Sequence, residues 1–199
     1  MKLKASLFLF CIVLISTFTK AQDVELSKGT LSFLKEEKEI NIEFTYDKMT
    51  VEGTKEADFI KNKKAEMNSK EPGSGDSWAI KWEEDKELRY QPKFITAFQN
   101  LSGITVNKNA KYTLIFNTKA MDPGYSIGIS KRNAGIDGSA VIVETANRNT
   151  VLAKLTVERP GENMFRGAAF DAGSRIADAF NLSGQKIGKF IKKNKTKDE

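Results

Sequence analysis

The sequence predicts an α+β fold: a mostly antiparallel sheet of about four to six strands with helices packed on one face. Three observations lead there. Ile40, Ile42, Phe44 and Tyr46 alternate with Asn41, Glu43 and Thr45, and Tyr112, Leu114 and Phe116 alternate with Thr113, Ile115 and Asn117. A two-residue period is the mark of a half-buried strand. Next, β-rich runs over 139–145 and 150–158 flank Ala146-Asn147-Arg148-Asn149, which predicts an antiparallel hairpin. Last, Phe165, Ala169, Ala172, Ile176, Phe180, Ser183, Ile187 and the Phe190/Ile191 pair recur every three or four residues. That spacing predicts a long amphipathic helix beginning near Glu162.

The remaining elements follow in chain order. Residues 29–34 are expected to form a short strand pairing with the Ile40 strand, with Lys35-Glu36-Glu37-Lys38 as the turn. Residues 55–68, rich in Lys, Glu and Ala, predict a helix exposed over most of its surface. Pro72-Gly73-Ser74-Gly75 has the chemistry of a loop. Beyond it, Trp78, Ile80 and Trp82 fit strand alternation, while Trp78 and Trp82 alone fit a helical i,i+4 pair, so both readings stand. Pro92 suits a first helical turn. Tyr90, Phe94, Ala97, Phe98 and Leu101 give that helix a buried stripe, and Gly103 closes it. Residues 121–133 read as a glycine-bearing loop. Ala169, Gly173 and Ala177 form a small-residue row on the last helix, which lets a neighbouring backbone come close. The expected core is Phe44, Leu114, Phe116, Val141, Val143, Leu155, Phe165, Ile176 and Phe180.

The first 21 residues read as a secretory signal peptide. Lys2 and Lys4 precede a short apolar run from Leu7 to Ile15, and Thr19-Lys20-Ala21 ends it as a small-x-small site. Residues 22–185 then form the single α+β domain, and 186–199 a lysine-rich helix end and tail. The expected localisation is exported: periplasmic or outer-membrane-associated, with extracellular as the alternative. Cys11, the chain's one cysteine, lies inside the apolar run rather than at a lipoprotein cleavage site. The processed chain would therefore have no thiol and no disulfide. The formal net charge of +6 comes from the two ends. Lysines 2, 4 and 20 lie in the leader, and Lys186, Lys189, Lys192, Lys193, Lys195 and Lys197 at the C-terminus, leaving a nearly neutral body. A basic tail on a neutral domain is not the footprint of a nucleic-acid binder.

Gly75-Asp76-Ser77 resembles the nucleophile-bearing loops of two serine hydrolase classes. A serine hydroxyl needs a neighbouring general base, which in those classes is histidine. The chain contains no histidine, and Trp78 stands where the protease motif has glycine. Ser77 is therefore expected to serve a turn, its hydroxyl or the Asp76 carboxylate capping the following backbone. Without histidine and with cysteine only in the leader, the usual zinc, haem, iron–sulfur and copper ligand sets are missing. No cofactor is expected. Glu83, Glu84, Asp85 and Glu87 could supply paired carboxylates for a glycoside hydrolase, but interleaved Lys81, Lys86 and Arg89 favour a solvated, salt-bridged face.

The segments LSFLKEEKEINIEFTYDKM, PGSGDSW, YQPKFITAFQN and GSRIADAFNLSGQKIGKFIKKN together resemble a group of uncharacterised exported bacterial proteins. That resemblance implies no activity and no site residue. The order strand, helices, three strands, long helix is also similar in architecture to the amino-terminal domain of TolB. The expected function is non-catalytic: an exported cell-envelope protein that binds a protein partner or an envelope surface, its candidate partners being an envelope protein, a glycan or an anionic membrane surface. Trp78, Trp82, Tyr90, Lys186, Lys189, Lys192 and Lys193 are the candidate contacts. The alternative is a binder of a small molecule or glycan using Trp78, Trp82 and Tyr90 beside the 121–135 loop. A hydrolase working through carboxylates alone comes third.

Overall fold

The computed structural model describes residues 24–127, 129–158 and 171–196. The fold is α+β, as the alternating strands and the closing helix predict. Its main sheet has eight strands, more than expected, and is mixed. Strands β1 (Val24–Gly29), β10 (Val151–Val157), β9 (Gly135–Glu144) and β6 (Tyr112–Asp122) lie side by side and antiparallel. Strands β2 (Glu39–Thr45) and β5 (Thr105–Val106) continue the order parallel to β6. Strand β3 (Thr50–Val51) pairs with the far end of β6 and with β4 (Thr54–Lys55). A parallel pair cannot be closed by a tight turn. The β2–β6 connection is accordingly long, and three helices lie within it.

Those helices are α1 (Glu56–Lys70), α2 (Ser74–Asp85) and α3 (Gln91–Ser102). Residues Lys86–Tyr90 join α2 to α3 as a π-helical turn. Helix α4 (Ala172–Asn194) closes the chain, with Asp171 as its N-cap accepting from the N–H groups of Gly173 and Ser174. The expected start of this helix, with Phe165 and Ala169, lies outside the described residues.

Helices α3 and α4 cover one face of the sheet. Phe94 reaches Phe44 at 5.2 Å and Phe116 at 4.9 Å between ring centroids, and Phe116 meets Phe180 at 6.2 Å. Register explains which β residues join them. Leu114 lies opposite Ile142, and Phe116 opposite Ala140. Strand β9 thus turns Ala140 and Ile142 to the helices, while Val141 and Val143 face the other side. Leu114, Phe116, Leu155, Ile176 and Phe180 are buried as expected. Val143 is buried too, though beneath the opposite face. Phe44 is half-buried against the core, and Val141 is half-exposed. That second face is polar around them: Asn41 donates to Thr113 Oγ1, and Arg148 grips Glu43 with two bonds of 2.6 and 2.7 Å.

Several local expectations change. The first strand ends at Gly29 and pairs with β10 rather than with the Ile40 strand, and Ser32–Leu34 form a 3-10 turn. The loop after α1 is confined to 71–73, so Gly75, Asp76 and Ser77 belong to α2. Residues 121–133 carry a two-stranded hairpin, β7 (Tyr125–Ile127) with β8 (Ser130–Arg132).

Close backbone approach on α4 occurs at two other glycines, and the neighbouring backbone is α3; of the expected row, Ala169 lies outside the described residues. A Cβ at Gly184 would lie 2.3 Å from the Phe94 carbonyl oxygen, and one at Gly188 would lie 2.8 Å from that of Phe98. At Gly173, the row's own glycine, a Cβ would strike side chains rather than backbone, those of Asp85 at the end of α2 and Arg89 in the π-helical turn. Ile187 and Ile191 are fully buried in the turns that carry the C-terminal lysines. The helix therefore continues as core well past residue 185.

Candidate functional site

Helix α1 has no buried residue, and α2 has only Gly75, Trp82 and Asp85. The two pack mainly on each other. Gly75 brings them together: a Cβ there would sit 2.2 Å from the Lys64 carbonyl oxygen. Asp76 accepts from Asn68 at 2.8 Å and pairs with Lys64 at 2.6 Å. Its carboxyl is held below the usual range, through the Lys64 hydrogen bond first and Asn68 second. Ser77 Oγ donates back to the Gly73 carbonyl at 3.1 Å. Neither side chain caps the helix as the turn reading expected. Asp76 ties one helix to the next, and the Ser77 hydroxyl is engaged with backbone one turn earlier.

Trp78 and Trp82 stand one turn apart on α2, which decides between the two readings of that stretch in favour of the helix. Their rings are 5.4 Å apart, and Phe59 of α1 meets them at 6.1 and 5.4 Å. Trp82 is buried and its indole N–H donates to Glu56 Oε1 at 2.8 Å. Trp78 is half-buried, leaving part of its ring open. Below them, Lys86 bridges Glu56 at 2.9 Å and Glu83 at 2.7 Å while lying 4.9 Å over the Tyr46 ring. Burial disfavours its charge, but the Glu83 and Glu56 bonds outweigh burial and leave its pKa raised.

Tyr90 leaves this group. It is 1% exposed and stacks on Phe180 at 5.3 Å, so its ring belongs to the core and cannot reach a partner. Burial raises its pKa. The separation runs along the rod: Tyr90 lies about two turns beyond Trp82, where the chain meets α4, and both rings are buried in one core.

The 121–135 segment does lie beside the tryptophans. An open groove of about 560 Å³ runs between Phe59, Asn62, Lys63 and Glu66 on α1, Trp78 and Trp82 on α2, and Pro123, Gly124 and Arg175 on the far wall. Phe59, Asn62, Lys63 and Glu66 share one face of α1 by their three- and four-residue spacing. The Glu66 carboxyl is pulled down to about 2 by Lys70 and then Lys63, so this wall carries a fixed charge at neutral pH. Arg175 is buried and donates to the Pro123 and Gly124 carbonyls, bracing the opposite wall. Sequence reasoning missed Phe59 and Arg175. An aromatic on a helix with no apolar stripe was the available signal for Phe59.

At the start of α4, Arg89 joins Asp85 at 2.9 Å to the Asp171 cap and to Ser174 Oγ at 2.6 Å. Burial opposes charge on Asp171, but the Arg89 and Ser174 hydrogen bonds prevail and hold its carboxyl well below the ordinary range. Lys186, Lys189, Lys192 and Lys193 lie at the other end of the same helix, with Lys189, Lys192 and Lys193 exposed and Lys186 half-buried. Between Arg175 and Lys193 the helix rises roughly 27 Å. The candidate aromatic and lysine contacts are therefore two separate surfaces.

No family model matches the chain, and no curated protein matches it. Solved structures similar to it include the PelC dodecamer from Paraburkholderia phytofirmans, 14% identical at a TM-score of 0.37, covering 80% of this chain and 96% of that one. A single-residue variant of that dodecamer is 15% identical at the same TM-score, covering 80% and 95%.

Proposed function

We propose that this is a non-catalytic, exported protein of the cell envelope that binds a protein partner in the groove framed by Phe59, Trp78 and the 123–124 turn. The half-exposed Trp78 ring carries the reading. It is fixed in place by Phe59 and Trp82, whose own polar edge is already bonded to Glu56. A rigid aromatic on an open surface loses little entropy on contact, which suits an anchor residue. The groove is shallow and charged along its α1 wall, as an extended polar chain would require, rather than deep and enclosed.

A glycan is the second reading. Asn62, Lys63 and Glu66 beside the Trp78 face could offer hydrogen bonds around a stacked sugar ring. The carboxylate hydrolase has less support. Such a reaction needs an acid whose pKa is raised, whereas the carboxylates with a resolved shift among the described residues, Glu43, Glu66, Asp76 and Asp171, are all lowered.

Cross-linked capture from an envelope fraction tests the proposal. Wild type should retain one defined protein that Trp78→Ala loses by about ten-fold or more, while a variant with Lys189, Lys192 and Lys193 changed to Gln retains it. Capture indifferent to Trp78→Ala, or released by free oligosaccharide, would overturn the protein-partner reading. Turnover abolished by one side-chain change would overturn the non-catalytic one.

A further inference from the structure

We propose that the β7–β8 hairpin is a lipid-insertion tip, with Ile127 and Ile129 entering a bilayer surface while Tyr125 and Lys131 remain at headgroup level. This goes beyond the groove reading and uses different side chains. Of the five large apolar residues exposed among the described residues, three lie here: Tyr125 at 38%, Ile127 at 72% and Ile129 at 104%. The hairpin forms its own two-stranded sheet, separate from the main one.

Its register orders the side chains by height. Tyr125 pairs with Arg132 at the base, Ser126 with Lys131 one rung out, and Ile127 with Ser130 beyond that, with Ile129 in the turn. From tip to base the order is aliphatic, then cationic, then aromatic hydroxyl. Amphipathic and basic residues belong at the membrane interface and aliphatic ones below it. Rungs are about 3.3 Å apart, so only the outer ~7 Å would need to enter, which is an interfacial depth.

The stalk is built to hold the tip out. Arg132 pairs with Asp122 at 2.9 Å and lies 5.4 Å from the Tyr125 ring. Gly124 turns with φ +61°, donates to Asp122 Oδ1 at 2.9 Å, and its carbonyl is held by Arg175. A Cβ at Gly124 would lie 2.2 Å from the Arg132 carbonyl oxygen. The area offered decides between a lipid and a protein occupant. Three such side chains expose on the order of 400 Å². A stable protein interface needs roughly 800 Å² from each partner, whereas interfacial lipid binding needs only a few inserted side chains.

The test is co-sedimentation of the purified processed protein with vesicles of phosphatidylethanolamine and phosphatidylglycerol. Changing Ile127→Ser together with Ile129→Asp should weaken partitioning by at least about ten-fold without shifting the melting temperature, since both side chains are exposed. An environment-sensitive dye on Ile129→Cys, in a chain whose sole native cysteine is in the leader, should move to a drier emission on vesicle addition. Trp78→Ala should leave both readouts unchanged, which separates failure here from failure of the groove reading. The proposal is overturned if folded wild type ignores the vesicles, or if the dye stays in water. It is equally overturned if binding survives the double change and is lost when Lys189, Lys192 and Lys193 become Gln.

Discussion

The two helix pairs of this molecule are packed in different proportions of backbone and side-chain contact. Helices α3 and α4 meet through absent side chains: Gly184 and Gly188 let the backbones touch, and the stripe Ile176, Phe180, Ile187 and Ile191 drops into the sheet. Helices α1 and α2 have one such close approach, at Gly75, and are otherwise joined by side chains. Phe59, Trp78 and Trp82 cluster between them, with Lys64–Asp76 and Glu56–Lys86 pairs at the edges. The first pair builds the domain and spends its aromatic rings on the core. The second buries little in the sheet and keeps aromatic surface in reserve. A helix pair that contributes least to the core is the one free to contact something else.

The comparison can be broken at its strongest point first. Phe180 touches Tyr46, Tyr90 and Phe116 from fully inside the core. Phe180→Ala should cost about 3–5 kcal/mol in denaturant unfolding; a cost near that of a surface change would mean α4 is not the keystone described. The two glycines give the sharper contrast. A methyl group meets a carbonyl oxygen at 2.3 Å from Gly184 and at 2.2 Å from Gly75, nearly the same overlap. Gly184→Ala should nevertheless lower global stability by about 1–3 kcal/mol. Gly75→Ala should instead raise hydrogen exchange within α1 and leave the global transition within about 0.5 kcal/mol. Equal global losses would show the two pairs to be one cooperative unit.

A smaller effect tests the junction between the pairs. Asp171 and Glu43 have folded pKa values below their unfolded ones, so their stabilisation is complete above the ordinary carboxylate pKa of about 4 and is lost as pH falls through the folded values. The wild-type melting temperature should drop on acidification below that point. Asp171→Asn should flatten part of the drop, by less than about 1 kcal/mol because the carboxylate is half exposed to water. Smallest of all, replacing Lys189, Lys192 and Lys193 with Gln should change stability by no more than about 0.5 kcal/mol. Truncation after Gln185 is a different matter, since it removes buried Ile187 and Ile191 and should unfold the chain.

What the sequence revealed follows from where each signal resides. The α4 stripe and the β6 alternation were legible because one side of each element meets apolar neighbours and the other does not. Val141 misled because both faces of β9 are partly covered, so alternation could not say which parity faces the helices. Gly184 and Gly188 were invisible as contacts: a helical glycine reads as a weakness until the facing carbonyl is known. Tyr90 looked like an accessible neighbour of the tryptophans because nothing in Lys86-Glu87-Leu88-Arg89-Tyr90 announces the π-helical turn or the burial of its last ring against Phe180. The parallel β2–β6 pairing was hidden as well, since crossover helices and hairpin helices share the same local chemistry.

That turn has one more implication. From Ser74 to Ser102 the chain is a continuous rod carrying a single surplus residue. Deleting that residue would restore ordinary winding and swing the α1–α2 arm by about 100° about the rod while the sheet stayed put. The direction in which Trp78 points is thus governed by chain length at one spot, independently of what the groove is made of. Insertions and deletions there would re-aim the arm without disturbing the foundation beneath it.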